Sequence, residues 1–277
     1  MRFPAVVAAS VVVMLSSVFA HAQAPLGDDV YVLPGKSAPV VAMAAWADKA
    51  SVRMASGADA AKAPKGAVTY SAKSAPWPTG RVRVMTFSKA TGGVLHPITD
   101  ETLLYVMSGT AQVDVSGKPA MLVAGDVVSR PSGALRNAGA AADAVIVSWT
   151  APSLMGEAVP MHVLGSATKE GGSATLKIKR YEFPGNSVRA VTMAAGSGTT
   201  KNSAKTDSLI LVTAGRMKFH QADQVFEVVA GDFIREIAGL DHFWEVIEES
   251  GFVTTSGLPL GAAAIDPAKA TDRPPTK

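Results

Sequence analysis

A repeat at fixed spacing constrains this chain more than any other feature. "YVMSG" ends at Gly109 and "LVTAG" at Gly215. "VAGDVV" carries Gly125-Asp126, and "VAGDFI" carries Gly231-Asp232. "PSG" ends at Gly133 and "IAG" at Gly239. Each pair lies 106 positions apart, with no gap between landmarks. One structural unit therefore occurs twice. The runs between the landmarks ("RVRVMTFS", "TAQVDVSG", "DAVIVSWT") are short, alternate apolar with polar residues and stop at glycine. That pattern predicts many short antiparallel strands, hence a sandwich or barrel.

The repeat divides the 277 residues. Residues 1–22 read as a secretory signal peptide: Arg2, an apolar run to Phe19, then Ala20-His21-Ala22 before a mature start near Gln23. The apolar run is short for a span of roughly 20 residues, and no later segment is long and apolar enough. Residues 23–80 form a strand-rich extension with "SAPWPTG" (74–80) as a turn-rich boundary and a short helix expected over 41–50. Copy one covers 81–152, a linker 153–175 and copy two 176–256. The tail 257–277 is expected to be poorly ordered. The chain has no cysteine, so it holds no disulfide framework and no thiol nucleophile. Export and the lack of disulfides together suggest the periplasm. The formal charge is only +3 and the basic residues are scattered, which argues against a nucleic-acid partner.

The landmarks resemble the cupin superfamily. "GDVVSRPSG" matches the front of its second motif through Gly125, Pro131 and Gly133, and "HPITDETLLYVMSG" matches its first motif in part. The resemblance implies an all-β bicupin: two antiparallel jelly-roll barrels (double-stranded β-helices) in tandem, with any small ligand inside a barrel. In metal-binding members the motifs supply three His and one Glu. Here His96 stands at the first His position of copy one, Ile98 at the second, Thr102 at the Glu position and Arg136 at the motif-two His position. In copy two the corresponding residues are Asn202, Ala204, Ser208 and His242, with Ile237 in place of the motif's Pro. Each copy keeps one ligand of four, whereas a tight transition-metal site wants three or four. A permanently charged arginine opposes a metal as well.

Glu101 and Asp207 precede the Glu positions. By strict alternation they face outward as solvated edge charges; a one-residue bulge would turn Glu101 inward as a metal ligand. Arg136 beside His96 suits a carboxylate or phosphate, with Thr102 adding a hydroxyl. His242, Asn202 and Ser208 form a second polar cluster, and Trp244 either stacks on a ring-shaped ligand or belongs to the core. His220 is expected to be exposed beside a hairpin turn, and His162 to lie in the linker or an incoming strand. The reading is an exported bicupin that binds a small polar or carboxylated molecule, with degenerate metal sites and no cofactor. Three alternatives stay open: a metal-dependent dioxygenase, decarboxylase or lyase using a divalent transition metal; a metal-free isomerase; and a structural module that forms a homodimer.

Overall fold

The structure, a computed structural model, describes residues 26–27, 30–48, 51–88, 96–98, 103–115, 118–129, 132–137, 142–150, 162–164, 167, 169–183 and 186–256. For His96, Arg136 and His162 it describes the backbone alone. The first half of the chain forms β1 (Val32–Leu33), β2 (Val41–Asp48), β3 (Ser51–Ser56), β4 (Val68–Trp77), β5 (Gly80–Phe87), β6 (His96–Pro97), β7 (Leu103–Ser108), β8 (Thr110–Val115), β9 (Lys118–Val123), β10 (Val127–Ser129), β11 (Ser132–Asn137), β12 (Ala144–Thr150) and β13 (His162–Leu164). The second half forms β14 (Lys169–Gly172), β15 (Leu176–Phe183), β16 (Asn186–Met193), β17 (Asn202–Ser203), β18 (Ser208–Ala214), β19 (Arg216–Gln221), β20 (Gln224–Val229), β21 (Phe233–Glu236), β22 (Asp241–Val246) and β23 (Ser250–Ser256). A single 3-10 turn spans Gly57–Lys62. Among the described residues no helix is long and apolar enough to cross a membrane.

Two barrels result. Barrel one closes the eight-stranded sheet β13-β10-β7-β12-β5-β4-β2-β3 against the four-stranded sheet β6-β11-β8-β9. Barrel two closes the seven-stranded sheet β1-β21-β18-β23-β16-β15-β14 against β17-β22-β19-β20. The strands fit the residues that form them. In β18, Ile210 and Val212 point into barrel two, while Leu209 and Leu211 point into a core shared with barrel one. A strand buried on both faces reads as a continuous apolar run, and "LILV" is one. The shared core also holds Trp77, Leu103, Val147 and Trp149 of barrel one and Phe183, Phe233 and Val253 of barrel two. The Trp149 indole crosses it, donating to the Leu209 carbonyl oxygen at 3.1 Å.

The repeat landmarks have physical causes. Gly109 and Gly215 turn with φ of 75° and 73°. A Cβ there would run into the backbone of Asp143 and of Glu249, so only glycine fits. Asp126 and Asp232 close the next turns by accepting the amides of Val123 and Val229 at 2.7 and 2.9 Å.

Two expectations change. Residues 41–48 are strand, not helix. Their Ala and Met favour helix, but pairing with β3 on one side and β4 on the other satisfies the backbone and buries Ala44 and Ala45. The 74–80 segment is the end of β4 and a hairpin into β5, and both strands belong to the barrel-one sheet. The chain also exchanges arms: β1, which precedes barrel one, pairs with β21 of barrel two, and β13, which precedes barrel two, pairs with β10 of barrel one.

Candidate functional site

The register of barrel two gathers polar residues at one end of its lumen. Ile178, Val191, Phe252, Ile210 and Ile234 fix the inward face of the large sheet. A step of two along each strand, on that face, gives Arg180 on β15, Arg189 on β16, Thr254 on β23, Ser208 on β18 and Glu236 on β21. Arg180 lies directly opposite Arg189, Arg189 opposite Thr254, and Ser208 opposite Glu236. The facing sheet adds His242, whose backbone pairs with Asn202.

Glu236 and His242 are the centre of this end. Their side chains are 12% and 7% exposed, and His242 Nε2 lies 3.6 Å from Glu236 Oε1. His242 Nδ1 lies 3.2 Å from the Leu240 carbonyl oxygen. A carbonyl only accepts, so Nδ1 carries the hydrogen. In the neutral ring Nε2 is then bare and faces the carboxyl. Burial pushes the Glu236 carboxyl above the usual carboxylate range; His242, hydrogen bonds from the Trp244 and Ser208 side chains, and Arg189 act in the opposite direction. Burial, then the neighbouring Arg180, push the Arg189 guanidinium down, with Glu236 and Glu182 opposing.

A second buried polar unit backs the first. Asp207 Oδ2 accepts from both Nε and Nη2 of Arg235 at 2.9 Å, with both side chains 2% exposed. Asp207 Oδ1 accepts the Ala238 amide at 3.0 Å. Gln221 accepts the Ile237 amide at 2.9 Å and donates to the Arg235 carbonyl oxygen. Asp207 is therefore not a solvated edge charge: it does point away from the lumen, but that side of β18 is covered and Arg235 meets it there.

The sequence matches no protein-family model and no curated protein. Solved structures do match. A mutant of oxalate decarboxylase from Bacillus subtilis is similar with a TM-score of 0.59 and 12% identity, covering 87% of this chain and 80% of its own. AerE from Microcystis aeruginosa gives a TM-score of 0.56 and 7% identity over 67% and 91%. Ylba from E. coli gives 0.51 and 18% over 67% and 82%.

The chain has the bicupin fold.

Identities this low establish the architecture and leave the chemistry to the residues. In barrel two of this bicupin the family's metal positions hold Asn202, Ala204, Ser208 and His242. With Glu236 the site offers two strong donors, and among the described residues no three His, Cys, Asp or Glu side chains converge. That set does not fit the three- or four-ligand site of a metal cupin. Glu101 and Thr102 lie outside the described residues, as does the side chain of His96.

The remaining predicted residues separate as follows. Ser208 and His242 come together at the polar end, while Asn202 is exposed on β17. Trp244 belongs to the core, stacked on Phe252 at 5.0 Å and tilted against Phe219 at 4.6 Å, and serves the site as a donor to Glu236. His220 is 15% exposed and stacks on Phe243 at 4.0 Å, so it is not the open surface residue expected. In barrel one the backbone of Arg136 pairs with Gln112, whereas the equivalent His242 pairs with Gln221, a slip of three residues. Leu135 of β11 is fully buried, opposite Val113. Tyr105 lines a cleft of about 200 Å³ between the barrels with Met107, Thr192 and Thr213, away from the polar end. Sequence reasoning missed Glu236, Arg189 and Arg180. Glu236 lies one residue before the motif's Pro position, and alternation with the buried Ile234 was the available signal.

Proposed function

We propose that this bicupin is an exported protein that binds a small carboxylated molecule at the polar end of barrel two. The observation that carries the reading is the pair of arginines, Arg180 and Arg189, opposite each other on the inward face beside Glu236 and His242. Like charges directly opposite on a sheet oppose one another, and a carboxylate between them reverses the sign of that interaction. Glu182 offsets one arginine through its contact with Arg180 at 3.4 Å. The hydroxyl, imidazole and carboxyl groups beside the arginines suit a polar ligand. The structurally similar oxalate decarboxylase is named for a small dicarboxylate, which agrees with this class. The signal-like sequence of residues 1–22 supports export.

A thermal-shift screen with acetate, oxalate, malonate and citrate tests the reading. A ligand at a hundred times its Kd stabilises by about 2.7 kcal/mol, a rise of roughly 5–10 °C for a unit of this size. The rise is expected to disappear in Arg189→Met. A flat panel, or a rise unchanged by Arg189→Met, refutes it. The 3.6 Å approach of His242 Nε2 to Glu236 Oε1 favours a metal-free isomerase as the second reading. Solvent deuterium appearing at the α-carbon of a 2-hydroxy or 2-keto acid, and lost in His242→Gln, would establish that activity.

A further inference from the structure

We propose that the N-terminal arm, residues 26–27 and 30–38, is a working part of the barrel-two site, and that Tyr31 is the residue that positions His242. The inference rests on the reading above only in giving that site a ligand; the geometry stands without one.

The arm precedes barrel one in the chain but lies on barrel two. Val32 sits opposite Ile234 and Leu33 opposite Phe233. The Arg235 amide donates to the Tyr31 carbonyl oxygen at 2.8 Å. The Tyr31 ring is 2% exposed and packs in one cluster with Ile237 and Leu240, each 4% exposed. Phe226 meets it edge-on at 6.1 Å. Ile237 to Leu240 is the loop that joins Glu236 to His242, and the Leu240 carbonyl is the atom that holds His242 Nδ1. Tyr31 thus packs on the residue whose backbone sets both the tautomer of the imidazole and its aim at Glu236.

Hydrogen bonds account for the rest of the loop. The Ile237 amide goes to Gln221, the Ala238 amide to Asp207 and the Gly239 amide to the Ala204 carbonyl oxygen at 2.9 Å. The Leu240 amide returns to Ile237 at 3.2 Å, a bond within the loop itself. Leu240 stands between the bonded part of the loop and Asp241, whose carbonyl oxygen accepts the Ala222 amide at 2.8 Å, and its own side chain is held by the apolar cluster in which Tyr31 is the buried ring and Phe226 the half-buried one.

The arm is also tied to barrel one. The Trp77 indole donates to the Val30 carbonyl oxygen at 2.7 Å, Lys73 Nζ to the Gly35 carbonyl oxygen at 3.0 Å, and the Leu26 amide to the Pro76 carbonyl oxygen at 2.7 Å. The Gly35 amide donates to buried Asp232 at 2.7 Å. A Cβ on Gly35 would run into the Gly231 carbonyl, so the arm approaches barrel two as closely as glycine allows. The exchange is reciprocal. "YVL" at 31–33 has a counterpart in "HVL" at 162–164, and Val163 sits opposite Val128 as Val32 sits opposite Ile234. Each barrel takes its outer strand from the segment that leads into the other.

The experiment uses the full chain from Gln23, with its histidines labelled in the ring nitrogens. The His242 signals are assigned by their loss in His242→Gln. The wild type is expected to show a ring protonated at Nδ1. Tyr31→Ala is expected to collapse that pattern to one averaged between tautomers, with the β circular-dichroism signal retained. Tyr31→Phe keeps the ring packing and is expected to restore the wild-type pattern. Malonate stabilisation is expected to weaken at least tenfold in apparent affinity in Tyr31→Ala and to be unchanged in Tyr31→Phe. An unaltered His242 pattern in folded Tyr31→Ala overturns the proposal. If Tyr31→Ala does not fold, Tyr31→Leu takes its place, and an unaltered His242 pattern there overturns it equally. Should no carboxylate bind the wild type while the His242 pattern still follows Tyr31, the ligand reading fails and the positioning role stands.

Discussion

Asp207→Ala is the substitution whose cost the structure specifies best. Asp207 and Arg235 are each 2% exposed and joined by two contacts of 2.9 Å to one carboxylate oxygen. Truncating one member of such a pair leaves the other as an uncompensated buried charge, which costs about 3–5 kcal/mol. The Ala238 amide loses its acceptor as well, which adds roughly 1 kcal/mol. At about 4–6 kcal/mol in all, the loss lowers Tm by about 8–24 °C for a cooperative unit of 150–250 residues. Urea melts followed by tryptophan fluorescence give the same quantity as a fall in midpoint at constant slope. The double variant Asp207→Leu with Arg235→Met separates the pair's net value from the penalty of breaking it. Replacing both partners by apolar groups of similar volume is often neutral or stabilising, so the double variant is expected to melt close to the wild type. A loss below about 1 kcal/mol in Asp207→Ala, or a double variant as unstable as the single one, would refute the reasoning.

Three further outcomes follow from other parts of the molecule. A carboxyl raised in the folded state stabilises fully below its ordinary value, 4.5 for Glu236, and that contribution is lost as pH rises through the raised one. Stability is therefore expected to fall upward of pH 4.5, and Glu236→Gln to flatten that slope in urea midpoints measured across the range. Tyr181, pushed up to about 12 by burial and then by Tyr105, Asp126 and Glu170, contributes fully below pH 10 and loses that contribution between 10 and 12. An absorbance titration of the four tyrosines should show part of the phenolate signal lagging in the folded chain and catching up in Tyr181→Phe. Trp149→Phe leaves the buried Leu209 carbonyl without its 3.1 Å donor, so it is expected to cost roughly 2 kcal/mol. Because that bond joins the barrels, differential scanning calorimetry should show both of them weakened.

Position was far more legible in the sequence than orientation. The 106-residue offset located strands, turns and both barrels, because a turn that needs a positive φ needs its glycine wherever the unit recurs. Ser208 and His242, which the offset singled out, lie at one end of the barrel-two lumen. What the offset could not carry was register. β22 and β11 share the offset but differ by three residues in their pairing, and an odd slip exchanges the two faces of a strand. Asp207 shows a different limit. Alternation gave the right side of its strand, yet nothing local says that the side is covered, because Phe233, Val147 and Trp149 arrive from elsewhere in the chain. Glu236 was hidden for a third reason: it stands at a variable position of the motif, one residue before the place of its Pro.

These three limits have one origin, since all concern contacts that the repeat does not encode within a single copy. The arm exchange makes the point sharply. Read copy by copy, residues 31–33 belong to an extension before barrel one and 162–164 to a linker before barrel two. Read through the pairing, each completes the large sheet of the opposite barrel. The polar end of barrel two arises on this exchanged scaffold. There the row that carries Ser208 and Glu236 is matched with Arg189 and His242. Barrel one ties the arm to that end, since the Trp77 indole holds the Val30 carbonyl oxygen next to the Tyr31 that packs on Ile237 and Leu240.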